Sequence, residues 1–165
     1  MIFYKQQYDK QIEQSAKYFA RLLIKNSGNK NNIIGLSSSY DNKKLKFTIC
    51  KKICDEIINY NKNILLFDAD YMLENTENFD TRSLSSSVFD DIMKNEIIDN
   101  AVTHDLVIIN VPCIPTNVIS LDYLSICNKI FLIERYMYTK FNEFNNTLER
   151  MKMNGLSVSG IISYS

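Results

Sequence analysis

"IIGLSSSYDNKKLKF", Ile33 to Phe47, sets the frame for the rest of the chain. A short apolar run ending at Leu36 gives way to small polar residues and then to lysines. Beyond them Phe47, Cys50, Ile53, Cys54, Ile57 and Ile58 recur at helical spacing. Ile33 to Leu36 reads as a short buried strand, and the polar stretch leads from it into a helix. The stretch has one glycine, Gly35, and it lies inside the strand rather than in the turn.

The same alternation continues on both sides. Tyr8, Ile12, Ala16, Phe19, Leu22 and Leu23 predict an amphipathic helix over 5–26, ended by "NSGNKNN". After "NYNKN", "ILLF" (64–67) is a second buried strand, and polar residues 71–86 read as a loop. Ser87 and Asp90 have capping-box spacing before a third helix carrying Phe89, Ile92, Met93, Ile97 and Ile98. "LVIINV" (106–111) is a third strand, Leu121, Leu124 and Cys127 mark a short helix, and "IFLIE" (130–134) is a fourth strand. A last helix with Phe141, Phe144, Leu148 and Met151 stops at Gly155 before a fifth strand in "SVSGIIS"; Phe141 and Phe144 are expected in the core.

Strands that are apolar without alternation are covered on both faces, and regular separation by helices implies parallel pairing through right-handed crossovers. The expected fold class is therefore α/β: a three-layer α/β/α domain with a mainly parallel sheet, spanning residues 1–165 as a single unit. In such folds ligands sit beyond the carboxyl ends of the strands. That singles out Ser37 to Lys46, Asp68 to Asp70, Asn110 to Cys113 and Glu134 to Tyr136.

Composition narrows the function classes. Nineteen basic and 19 acidic side chains cancel, which gives no electrostatic footprint for nucleic acid. No apolar run approaches the roughly 18–20 residues needed to cross a bilayer, and "MIFYKQQYDKQIEQ" lacks a signal-peptide core, so a cytoplasmic protein without direct membrane insertion is expected. Cys50, Cys54, Cys113 and Cys127 include no CxxC and read as buried free thiols. His104 reads as the residue that starts a strand. Taken alone, "SSSYDNKKLKF" is a surface turn with Asp41 as the helix cap and solvated lysines. The functional alternative is a weak anion site at a helix N-terminus beside Lys43, Lys44 and Lys46. Asp68 and Asp70 alone read as a solvated loop or cap.

Several strand ends together resemble one family. "NILLFDAD" resembles the second acidic motif and "HDLVIINVPC" the Walker B strand of the bacterial tyrosine autokinases of capsule and exopolysaccharide export, relatives of the MinD and ParA P-loop ATPases. "SLSSSVFDDIMKN" and "FLIERYMYTKFNEFNNTLERMKMNGLSVSGIIS" resemble that family's helix before Walker B and its closing strand, helix and strand. The resemblance implies a P-loop NTPase-like fold. Its phosphate loop reads TSxxPGEGKST, in which glycines let N–H groups converge on phosphate, the lysine neutralises charge and the hydroxyl holds magnesium. Laid over Ser37 to Phe47, the pattern places Ser38 and Ser39 in the loop and Lys43 between its two glycine positions. Asn42 and Lys44 fall on those glycines, Leu45 on the lysine, Lys46 on the magnesium-binding serine and Phe47 on the threonine. Asn110 stands at the Walker B aspartate, Cys113 at the second proline and Met72 at the arginine after "DAD". The helix motif that joins the family's subunits into rings becomes Glu13, Ala16 and Phe19, and the chain given ends at Tyr164 and Ser165 without the tyrosine-rich tail.

The resemblance therefore implies a degenerate member, with Asp68, Asp70 and Asn110 as vestiges of the catalytic set and no cofactor. Its partner would be a protein: the cytoplasmic end of a membrane polysaccharide chain-length regulator, or an active kinase paralogue, met at the inner face of the membrane. Two readings stay open beside it. One is an active tyrosine kinase or ATPase with an atypical loop, using ATP and Mg with Lys43, Lys44 or Lys46 on the phosphates and Asp68 or Asp70 on the metal. The other is a spatial regulator of the MinD or ParA kind.

Overall fold

The computed structural model describes residues 2–25, 32–70, 79–84 and 89–164. The elements run α1 (Ile2–Lys25), β1 (Ile33–Ser37), α2 (Lys43–Ile58), β2 (Ile64–Asp68), β3 (Asp80–Ser83) and α3 (Asp91–Thr103). They continue with β4 (Leu106–Asn110), α4 (Ile119–Ser125), β5 (Lys129–Arg135), α5 (Phe141–Met153) and β6 (Gly160–Tyr164). The sheet has the order β3-β2-β4-β1-β5-β6, and every pairing is parallel. β1, β2 and β4 are buried at every position, as strands covered on both faces must be.

Alternate strand residues feed two cores. Ile34, Leu36, Ile64, Leu66, Leu106 and Ile108 meet α1 and α2 on one face, through residues such as Ile12, Ala16, Phe19, Ile49, Ile53 and Ile57. Ile33, Leu65, Phe67, Val107, Ile109 and Leu132 meet α3, α4 and α5 on the other, against Ile97, Tyr123 and Met151. These are the three layers expected from the sequence.

The polar stretch 71–86 is not all loop, because residues 80–83 form the edge strand β3, so the sheet has six strands rather than five. β3 hydrogen-bonds to β2 on one side only, and its sequence DTRS carries no apolar signal. The remainder of that stretch within 71–78 and 85–86, and Met72, Ser87 and the side chain of Tyr8, lie outside the described residues. α3 is capped by Asp90 itself, whose Oδ1 accepts from Met93 N at 2.9 Å. His104 is the C-cap of α3 rather than the start of a strand. Phe141 is 78% exposed and so not core, whereas Phe144 is half-buried and packs against the second core; Thr147 and Met151 are the fully buried residues of α5. Leu22 faces outward, 38% exposed.

Two glycines are explained by geometry. Gly155, at φ 70°, ends α5 with bonds from its own N to Lys152 O and from Leu156 N to Met151 O, a Schellman cap. Gly35 has a different task. A Cβ there would lie 2.5 Å from Leu124 Cδ2 and 2.9 Å from Cys127 Sγ, so the missing side chain is what lets α4 and the turn after it close onto β1. Gly35→Ala should therefore destabilise the fold by about 1–3 kcal/mol through overpacking. Urea denaturation checks this, and an unchanged midpoint would contradict the close approach.

Candidate functional site

The carboxyl ends of β1, β2, β4 and β5 converge as the topology requires, and the residues found there are polar and buried. Ser37, Ser38, Ser39, Lys46, Asp68, Asp70, Asn110 and Glu134 are all no more than 6% exposed. The surface-turn reading of 37–47 is thus corrected at its centre: three serines and one lysine of that stretch are inside the protein. Asp68 and Asp70 are likewise no solvated loop.

The segment after β1 is held by its own chain. Ser37 Oγ donates to Pro112 O at 2.7 Å, Ser38 Oγ donates to Tyr40 O at 2.8 Å, and Ile114 N donates to Ser38 O at 3.3 Å. Ser39 N donates to Glu134 Oε1 at 2.8 Å, and the other oxygen of Glu134 accepts from Thr139 Oγ1 at 2.8 Å. Burial pushes the Glu134 carboxyl above its ordinary range, with the hydrogen bonds from Ser39 and Thr139 opposing the shift. α2 is capped by Asn42, not Asp41: the Asn42 side chain accepts from Leu45 N at 3.3 Å. Among the described residues positive φ outside glycine occurs only at Asn61 and Met137, so 38–42 does not adopt the left-handed backbone that loop glycines permit.

A cluster of charge lies beside this segment. Asn110 Nδ2 donates to Asp68 Oδ1 at 2.8 Å, and the same oxygen accepts from Asp70 N at 3.0 Å. Asp70 Oδ2 lies 2.9 Å from Lys46 Nζ and Oδ1 lies 3.2 Å from Lys43 Nζ. Neither Asp70 oxygen satisfies hydrogen-bond geometry, so the two ammonium groups hold it by charge. Lys46 also donates to Val111 O, which leaves its head between β4 and the Asp70 carboxylate. Removing one partner of such a buried pair typically costs about 3–5 kcal/mol. Lys43 is half exposed, and the Asp70 carboxylate raises its pKa. Lys44 points to solvent and Leu45 packs at the margin of the core.

Beneath the cluster Cys50 Sγ lies 3.7 Å from Asn110 Oδ1, with burial pushing the thiol up to about 12. That makes it a weak donor rather than a nucleophile. Cys54 and Cys113 are buried as expected, while Cys127 is only partly so. In α1, Ala16 and Phe19 of the ring-motif positions are buried against the sheet, with Glu13 exposed. Tyr136 and Tyr138 are exposed, whereas Tyr164 is buried and shares a hydrogen bond with Tyr40.

The structure thus brings Asp68, Asp70, Asn110 and Lys46 into contact, with Lys43 at the rim. It separates Lys44 and Leu45 from them. Sequence reasoning missed two partners, the Lys46 pairing with Asp70 and the Glu134 bond to Ser39. A signal existed for each: Lys46 is one helical turn before buried Cys50, and Glu134 is an acid closing an otherwise apolar strand. An ammonium lies 2.9 Å from the Asp70 carboxylate, and at the end of β4 Asn110 presents an amide, which brings no charge toward a divalent ion.

No protein-family profile and no curated protein sequence matches the chain. Among solved structures it is similar to the kinase domain of the Escherichia coli tyrosine kinase ETK, with a TM-score of 0.74 at 14% identity over 87% of this chain and 71% of that one. It is similar to the kinase domain of VpsO, with 0.79 at 11% over 99% and 98%, and to the BceF tyrosine kinase domain, with 0.62 at 16% over 92% and 73%. The chain therefore has the fold of bacterial tyrosine kinase domains, and at such identities the likeness speaks to fold alone.

The raised Glu134 carboxyl sets a pH dependence. A carboxyl that binds its proton more readily when folded adds stability as pH falls from neutral through its raised value toward the ordinary 4.5, and that gain disappears as pH rises again. Denaturation of wild type and Glu134→Gln across this range should show the difference shifting in favour of wild type on acidification; parallel profiles would contradict it.

Proposed function

We propose that this chain is a non-catalytic relative of the bacterial tyrosine autokinases that works through its surface, as a regulatory or scaffold partner in capsular or exopolysaccharide biosynthesis and export. The observation that carries the reading is the state of the loop after β1. Where a phosphate loop presents free N–H groups to an anion, Ser39 N is bonded to Glu134 and the Asn42 side chain caps α2. Asn110 adds to it, since an amide hydrogen-bonded to Asp68 offers no charge to a divalent ion.

A fold kept without its chemistry keeps its surface. Tyr136, Met137, Tyr138 and Phe141 are 67%, 89%, 64% and 78% exposed, and Tyr136, Met137 and Phe141 line one groove with Ile161 of edge strand β6. Exposed apolar groups gathered in one place mark interaction surfaces more often than scattered ones do. The partner we propose is the cytoplasmic end of a membrane polysaccharide chain-length regulator or an active kinase paralogue. Among the described residues no helix is long and apolar enough to cross a membrane, so recruitment to the inner face would come through that partner.

Calorimetric titration with ATP and magnesium should give no saturable heat, and radiolabelled ATP should leave no phosphate on the chain. Binding in the micromolar range would contradict this reading, and label lost on combining Asp68→Ala with Asp70→Ala would establish an active enzyme instead.

A further inference from the structure

Buried charges in proteins are paired or coordinate metals. The pair Asp68 and Asp70, at 0% and 2% exposure, raises the question of which applies here. Asp68 Oδ1 takes two neutral donors, the Asn110 amide and the Asp70 N–H. The Asp70 carboxylate oxygens accept no hydrogen bond, and Oδ2 faces Lys46 Nζ at 2.9 Å. The lysine is itself 3% exposed, so solvent does little to weaken the contact, and its bond to Val111 O fixes the head in place. Lys43 contributes from the rim at 3.2 Å but is half exposed.

We infer that the Lys46 ammonium is a built-in cation that takes over the charge-neutralising task of a divalent metal between Asp70 and the end of β4. The inference rests on the non-catalytic reading and deepens it. Lys46 stands at the position of the metal-binding hydroxyl and Asn110 at that of the Walker B carboxylate. These two departures compensate each other. Exchanging a divalent ion for an ammonium removes one positive charge, and exchanging aspartate for asparagine removes one negative charge, so the cluster keeps its balance. The Asn110 amide supplies what the second exchange needs in addition, a donor to Asp68 Oδ1, where a carboxylate would bring only repulsion. The site is complete in charge without any ligand, and its geometry is independent of metal concentration.

The experiment compares melting temperatures in EDTA and in millimolar magnesium or manganese chloride, without nucleotide. Wild type should be unaffected. Lys46→Met should melt lower in EDTA and regain part of the loss when either ion is added, and Lys46→Met with Asn110→Asp should regain more. A metal-induced rise in wild type equal to that of Lys46→Met would overturn the inference, as would a Lys46→Met protein indifferent to both ions. Should Lys46→Met not fold, the pair Lys46→Met with Asp70→Asn decides. Recovery of a cooperative melt supports the pairing, and failure to recover overturns it. Nucleotide binding by wild type that needs no metal would overturn the scaffold reading while supporting the built-in cation, so the two ideas fail separately.

Discussion

Two buried carboxylates, two residues apart at the end of β2, are the constraint around which the polar half of this protein is organised. Asp68 is the last residue of β2 and Asp70 follows it, both buried at the carboxyl edge of a parallel sheet whose strand ends offer mainly carbonyl groups. Left alone, two buried charges of like sign would cost the fold their full desolvation. Asn110 supplies an amide, the Asp70 backbone an N–H, and Lys46 and Lys43 supply charge. The first turn of α2 is aimed by that requirement: Lys46 turns inward, whereas Lys44 faces water.

The second organising contact is Glu134. It joins the segment after β1 to the turn after β5, because one carboxylate accepts from Ser39 N and Thr139 Oγ1. The exposed aromatic surface at 136–141 is therefore anchored through Thr139 and Glu134 to the segment after β1. For a protein acting as a partner, a surface fixed from within loses less conformational entropy on association than one ordered at the moment of binding.

Most of the layered architecture could be read from the chain, because β1, β2 and β4 are short apolar runs and the helices between them repeat at 3.6 residues. β3 could not be, since an edge strand paired on one side needs no apolar face. Phe141 misled for the converse reason: helical spacing marks a face as apolar but not as covered. At the site, the positions were legible as strand ends, while the pairing was not. Lysine beside serine and asparagine reads as a solvated turn by composition, and only the sheet order β2-β4-β1 brings Asp70 from a distant segment to meet Lys46. Gly35 showed as a glycine out of place for a phosphate loop; its contact with α4 explains why a glycine stands there at all.

Whether an ammonium or a metal ion neutralises the buried carboxylates decides how this cluster works. Anomalous diffraction from crystals soaked in manganese chloride with ATP addresses it directly. Density for the Lys46 side chain reaching Asp70, with no anomalous peak among Asp68, Asp70 and Asn110, is the expected result. An anomalous peak bridging those residues, with Lys46 displaced toward a bound phosphate, would contradict it.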